Sequence, residues 1–343
     1  MTIKVLGVGA GYFSQFHYEA WQENENVELI GIVDRDIETA RSMAERFGNP
    51  PSFTDLQIAL DATSPDLVDI ITPPPTHLDL ISQVAAAGLP AICQKPLCGN
   101  LRDAQRAADI VEQAGTKLIV HENFRFQPWY RAMADLLVNN RVGDVYQMTF
   151  RLRPGDGQGP HAYLARQPYF QTMPRFLVHE TAVHFVDVFR YLMGEPSWVW
   201  ADLRTLNPVI TGEDAGLIVF GFEDGRRAVF DGNRLADHAA KDPRRTMGEA
   251  LLEGSAATME LNGYGQLTIR EHGQESMTAV EVASHPTRFG GGCVPALQAH
   301  VVEHLLHGSA LENQAFDYLK SMELVEAIYR STASGTKVSV AGS

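Results

Sequence analysis

The stretch Ile3-Lys-Val-Leu-Gly-Val-Gly9-Ala-Gly11-Tyr12-Phe13-Ser14 decides the fold. An apolar run too short for a helix ends in a glycine turn and passes into a helical pattern over residues 13–23. Glycines at 9 and 11 let backbone amides reach a pyrophosphate at a helix start. The spacing is that of G-x-G-x-x-G with Ser14 in place of the third glycine, small enough for helix and strand to approach and carrying a hydroxyl that a phosphate can use. A plain tight turn would also account for this pattern. The second signal is Asp34, 23 residues beyond Gly11 at the end of the next apolar run, where a carboxylate accepts hydrogen bonds from adenosine ribose hydroxyls. That carboxylate repels a 2'-phosphate and so favours NAD, while Arg35 beside it either stacks on adenine or partly rescues NADP binding.

Working outward, short runs rich in Val and Ile at residues 3–8, 27–33, 67–72, 91–94 and 117–120 alternate with helical patterns at 13–23, 37–47, 78–87 and 101–114. Such alternation predicts a doubly wound parallel sheet, a Rossmann domain over residues 1–122. Pro73, Pro74 and Pro75 stop one strand, and Thr76, three residues before Asp79, is read as the cap of the helix that follows. Beyond a helix near Trp129, the runs at 145–151, 215–222, 228–232, 258–261 and 266–270 predict a large, mostly antiparallel open sheet. Phe222-Glu-Asp-Gly-Arg226 is a hairpin turn, because Asp-Gly tolerates positive φ. Two closing helices, at 294–306 and 313–332, complete an α+β domain over 123–343.

The chain has 343 residues, 45% of them hydrophobic, which suffices for two cored domains. With 28 Lys plus Arg against 42 Asp plus Glu, its net charge of -14 argues against nucleic acid as a partner. Cys93, Cys98 and Cys293 are too few for a secreted disulfide framework. No signal-peptide pattern and no apolar span of about 18 residues is present, so the expected location is the cytoplasm, away from membranes.

Several separate segments resemble the Gfo/Idh/MocA oxidoreductases, nicotinamide-dependent sugar and polyol dehydrogenases. They are the turn from Gly9 to His17, Thr72-Pro73-Pro-Pro-Thr-His77, Gln94-Lys95-Pro96 where the family usually has Glu-Lys-Pro, Asn123-Phe-Arg-Phe-Gln-Pro128, and Glu180-Thr-Ala-Val-His184-Phe-Val-Asp187. The resemblance implies that Gly9, Gly11, Tyr12, Phe13, Asp34, Arg35, Thr72, Pro73, His77, Gln94, Lys95, Asn123 and Arg166 serve the NAD cofactor. It makes Lys95 and His184 the catalytic pair, with Glu180 assisting, and places Tyr163 with these three around a small carbohydrate between the domains. It also implies a homodimer or homotetramer.

The residues support these roles independently. Lys95 follows a parallel strand, and open α/β sheets bind ligands beyond the carboxyl ends of their strands. On an α-helix, Glu180 and His184 lie about 40° apart with Asp187 on the same side, and His184 suits a general base. His179 and His184 would point about 140° apart, which disfavours a shared zinc, so no metal is expected. Cys93 and Cys98 lack C-x-x-C spacing and read as buried thiols. Gln94 removes a negative charge beside Lys95, which is expected to ease its deprotonation. The segments 121–129 and 178–181 resemble a D-apiose dehydrogenase branch, which suggests an aldopentose oxidised at C1 to a lactone. A polyol giving a ketone, a bound-NAD lyase or glycosidase, and an NAD-binding sensor are the alternatives.

Overall fold

The computed structural model describes residues 2–340. The chain forms two compact units: the first runs to Asn123 and resumes over Val294–Lys320, and the second takes Phe124–Cys293 and the chain from Ser321 onward.

In the first unit, strands β1 (Ile3–Val8), β2 (Val27–Val33), β3 (Ser52–Phe53), β4 (Leu67–Ile70), β5 (Ala91–Gln94) and β6 (Leu118–His121) pair in parallel in the order β3-β2-β1-β4-β5-β6. Helices α1 (Ser14–Glu23), α2 (Ile37–Arg46), α3 (Leu56–Thr63), α4 (His77–Ala86) and α5 (Leu101–Gln113) connect them. The strand order reverses direction between β1 and β4, which opens a crevice at their carboxyl ends. Apolar strands buried along their length are what a sheet covered on both faces requires, and β4, β5 and β6 are buried at every position.

Two local readings change. The sequence pattern did not reveal β3 and α3; a two-residue strand has no periodicity, although Asp55 caps α3 by accepting the Ile58 amide at 2.9 Å. Thr76 makes no side-chain cap, because its hydroxyl donates to the Pro73 carbonyl at 2.9 Å and lies 2.7 Å from Thr72 Oγ1, closing the proline turn instead.

The second unit carries α6 (Pro128–Val138), β7 (Val145–Leu152), α7 (Val183–Met193), β8 (Trp198–Arg204), β9 (Ala215–Gly221), β10 (Arg227–Asn233), β11 (Gly248–Gly254), β12 (Ala257–Leu261), β13 (Leu267–Glu271), β14 (Thr278–Val280) and β15 (Val338–Ser339). They form a nine-stranded sheet, antiparallel except where β10 joins β7 in parallel. Phe222 and Arg226 close the expected hairpin between β9 and β10, with Gly225 at φ +88°. The remaining helices, α8 (Cys293–His307) and α9 (Ala315–Ser334), each carry residues of both units.

Helix α7 is buried from Val183 to Arg190. Its Phe185 stacks on Phe150 of β7 with ring centroids 3.8 Å apart, and its Phe189 packs on Phe220 of β9 at 5.7 Å. Deleting the fully buried Phe150 ring removes both its transfer free energy and its packing partners. We expect Phe150→Ala to lower unfolding stability by about 3–5 kcal/mol, read as a fall in the urea midpoint with unchanged slope.

Candidate active site

The glycine turn is held from several sides. Gly9 has φ +112°, and a Cβ there would lie 2.9 Å from the backbone carbon and oxygen of Ile71. Its amide donates to the Val33 carbonyl at 2.7 Å, and its carbonyl accepts the Tyr18 hydroxyl at 2.6 Å. The Tyr18 ring fills the space beside Gly7, where a Cβ would meet it; this glycine, which the sequence reading passed over, lets α1 press on β1. Ser14 is fully buried and its hydroxyl donates to the Gly11 carbonyl at 2.6 Å, so it stiffens the turn, contrary to the reading that gave it to a phosphate. Asp34 also braces the turn: Oδ2 accepts the Ala10 amide at 2.9 Å and Oδ1 the Asp36 amide at 3.0 Å. Each carboxylate oxygen keeps a second lone pair for a ribose hydroxyl. Tyr12 and Arg35 are exposed, and Phe13 packs on Phe16 at 5.2 Å.

Thr72, Lys95 and Asn123 follow β4, β5 and β6 closely, so the residues singled out from the sequence line one edge of the sheet. His77 departs from its expected role. It is fully buried, with Nδ1 2.8 Å from the Leu97 carbonyl and Nε2 2.7 Å from the Thr72 carbonyl, so both ring nitrogens face the protein's own backbone. Burial pulls its pKa below the ordinary histidine value, against the pull of those carbonyls. Gln94 Oε1 accepts the Lys95 amide at 3.0 Å. Cys93, Cys98 and Cys293 are buried free thiols. Burial pushes the Cys93 thiol far up and, helped by Asp103, the Cys98 thiol to about 12.

In the second unit, His184 does not lie on a continuous α-helix with Glu180. Residues Leu177–Ala182 form a π-helical turn in which the Val183 amide donates to the Val178 carbonyl, and α7 starts only at Val183. The wider turn changes the angle between positions 180 and 184, so the α-helical figure of about 40° does not apply. His184 is buried and stacks face to face on Phe124, with centroids 3.9 Å apart and planes 6° apart. Asp187 is fully buried and takes both Arg125 Nε at 2.8 Å and Nη2 at 2.6 Å. The sequence reading assigned no role to Phe124 and Arg125; their signal was an aromatic and a cation side by side in an irregular segment.

Tyr163 lies in an apolar cluster with Ala162, Phe170, Phe176 and Ile210, at φ +69°, and its hydroxyl donates to Asp156 Oδ1 at 3.1 Å. Asp156 also pairs with the buried Arg234 at 2.7 Å and with Arg166 at 3.5 Å. Burial alone would lower the Arg234 pKa, yet the Asp156 carboxylate holds it above its ordinary value. Arg166 and Glu180 are half-buried, and burial followed by the Glu180 charge raises the Tyr169 pKa. Among the described residues, no group of three or more His, Cys, Asp or Glu is placed to hold a metal ion.

Comparison with known proteins bears on this arrangement. The family profile described as an oxidoreductase family with an NAD-binding Rossmann fold matches residues 3–122, and that of the GFO/IDH/MocA C-terminal domain matches residues 130–252. A D-apiose dehydrogenase of Paraburkholderia graminis is 32% identical over 96% of this chain and 88% of its own, and one of Rhizobium rhizogenes is 29% identical over 97% and 96%. An oxidoreductase from Agrobacterium radiobacter, solved with NAD+, L-tartaric acid and magnesium, superposes with TM-score 0.88 at 28% identity, covering 99% of this chain and 98% of that one.

Two outcomes follow from the geometry. Arg125→Leu strips the buried Asp187 of its bidentate partner and is expected to cost about 3–5 kcal/mol in a denaturant titration. At pH 8 a thiol of pKa near 12 is thiolate in only about one part in ten thousand, so Cys98 should resist iodoacetamide in the folded protein and react once urea unfolds it, as peptide mass mapping will show.

Proposed function

The chain belongs to the GFO/IDH/MocA oxidoreductase family, and from that membership we propose an NAD-dependent sugar dehydrogenase that oxidises an aldose at its anomeric carbon to the lactone, with D-apiose as first candidate. The observation that carries the reading is the position of Lys95, directly after β5 at the carboxyl edge of the parallel sheet, in a chain that two D-apiose dehydrogenases match nearly from end to end.

The first unit fits the nucleotide. No protein atom lies within 4 Å of a Cβ built on Gly11, which leaves room for a pyrophosphate against the backbone. Asp34 ends β2 at ribose reach, and the buried Asn123 Oδ1 has no hydrogen-bond partner among the described residues. When bound, the nicotinamide ring accepts the hydride. In this reading the Lys95 ammonium polarises the reacting oxygen and His184 takes the hydroxyl proton. Stacking on Phe124 covers one face of the imidazole and directs proton transfer to its edge. Glu180, half-buried and two residues before the π turn ends at Ala182, orients the ring. His77 is better read as bracing the loop after β4, since both its ring nitrogens face backbone carbonyls.

We further propose self-association through the nine-stranded sheet, as a homodimer or homotetramer. Paired positions Trp200, Val219, Val229, Thr149 and Leu251 form a partly exposed row across one face. Light scattering tests this. The buried free thiols favour a reducing compartment such as the cytoplasm, and no helix among the described residues is long and apolar enough to cross a membrane.

The deciding experiment screens aldoses, polyols and sugar acids with NAD and NADP, following reduced cofactor and product mass. D-apiose with NAD should give NADH and a lactone; a ketone from a polyol would move the reading to that substrate class, and turnover without net NADH would replace it with a bound-NAD lyase. Lys95→Ala and His184→Ala should each lower kcat by about 10²–10⁴-fold while NAD still binds. Asp34→Ala should raise the NAD dissociation constant about ten- to a hundredfold, the worth of a charge-assisted hydrogen bond.

A further inference from the structure

Behind Lys95 runs a buried chain of hydrogen bonds that crosses the parallel sheet. Asp69, fully buried in β4, accepts Trp21 Nε1 at 2.7 Å and faces His17 Nδ1 at 2.8 Å through the same Oδ2. His17, also fully buried, places Nε2 2.8 Å from Gln94 Nε2, and Gln94 Oε1 accepts the Lys95 amide at 3.0 Å. The Gln298 side chain donates to the His17 carbonyl at 3.3 Å, and the His121 ring lies on the His17 ring at 3.9 Å.

The proton positions in this chain follow from donor and acceptor chemistry. A backbone N–H only donates, so the Gln94 oxygen must face Lys95 and its NH₂ must face His17. An amide NH₂ only donates as well, so His17 Nε2 must present a lone pair. The imidazole then carries its proton on Nδ1 and gives it to Asp69. The other ionisable neighbours are the buried His121 imidazole, packed on the His17 ring, and the Tyr18 hydroxyl and Cys93 thiol, both of which burial raises and keeps neutral. Asp69 Oδ2 is thus the acceptor at the end of the chain, shared by His17 Nδ1–H and Trp21 Nε1–H.

We propose that Gln94 is a positioning residue whose amide locks His17 as the neutral Nδ1–H tautomer and thereby fixes the backbone at Lys95 without a titrating proton in the chain. The proposal rests on the reading of Lys95 as catalytic. It also revises the expectation that Gln94 acts by removing charge. A glutamate at this position would accept from both Lys95 N–H and His17 Nε2–H, so His17 would gain a proton as the carboxylate gained its charge. The net charge behind Lys95 is then the same with either residue. The difference lies in whether that charge depends on a proton held by His17.

Nitrogen NMR of the full-length protein labelled at histidine, with the His17 signals assigned by their loss in His17→Asn, reads the tautomer directly. The wild type should show one protonated and one bare ring nitrogen, unchanged over about pH 6 to 8, and Gln94→Glu should show both protonated at the lower end. In kinetics, Gln94→Leu should lower kcat at least about tenfold with KM for NAD within about twofold, the signature of a displaced reacting group. Gln94→Glu should restore kcat near its own optimum and add an ionisation to the kcat profile. A wild-type His17 protonated on Nε2, an unchanged ring in Gln94→Glu, or full kcat in a folded Gln94→Leu protein would each overturn the proposal. If the tautomer is as stated but Lys95→Ala keeps full kcat, the lock stands and the catalytic reading of Lys95 falls.

Discussion

The arrangement of the parallel sheet's carboxyl edge depends on the backbone of Gly9 passing flat against Ile71. Any side chain there would press into the Ile71 carbonyl group, and the φ of +112° lies outside the range of other residues. Because the chain passes so close, it meets the Val33 carbonyl, the Tyr18 hydroxyl and, one residue on, the Asp34 carboxylate. These bonds are each worth only about 1 kcal/mol net, yet an unmade one in a buried turn costs more. Their joint effect is geometric: the ends of β1, β2 and β4 are brought to one level, with α1 starting above them. A dinucleotide site needs that level edge, since its amides must point outward while its ribose partner sits one strand away.

The second unit solves a similar problem with side chains. Phe124 and Arg125 are consecutive, and they serve His184 and Asp187, which follow one another around the first turn of α7. A buried guanidinium and carboxylate add little net stability compared with an apolar pair of the same size. What they supply is orientation, because a bidentate fork admits one geometry, and with α7 so fixed the imidazole sits flat on its neighbouring ring. The π turn that precedes α7 adds a residue to the helical path and re-aims positions 177–182 relative to those that follow. Such turns are costly in an ordinary helix and recur where a side chain must be aimed.

How far the sequence disclosed this can be judged residue by residue. Strands β1, β2 and β5 begin and end where their apolar runs do, because a sheet buried on both faces imprints its length on composition. The positions of Asp34 and Lys95, each directly after a strand, were legible since a strand end in a parallel sheet is a defined place. His77 was not: its motif suggests a contact, and only the folded loop reveals that two carbonyls claim its ring. Thr76 misled for a related reason, as a threonine before a helix has two competing local partners and the proline turn won. The angle between Glu180 and His184 was misread because periodicity arguments assume an α-helix, and nothing in the residues Leu177–Ala182 announces a wider turn. The pairing of Gln94 with His17 joins positions 77 apart and is invisible to any local pattern.

The least regular part of the second unit is ordered by one buried cation. The chain from Arg153 to Phe176 has almost no repeating structure, and a loop of that length would ordinarily be mobile. Here it is tied down from within. Arg234 holds Asp156 and, through Nη1, Thr181 at 2.7 Å, while Asn207 donates to the carbonyls of Gly157 and Gly159. The guanidinium of Arg234 also lies against the rings of Tyr163, Phe170 and Phe176. Removing such a charge from water is repaid only with a close counter-charge and hydrogen bonds, and Asp156 supplies the charge and two bonds while Thr181 supplies a third. The consequence is a preorganised loop that carries Arg166 and the exposed Tyr169 on a fixed base. Loop tips on a rigid scaffold tolerate change, and here the tips can vary while the Arg234 anchor keeps the base of the loop in place.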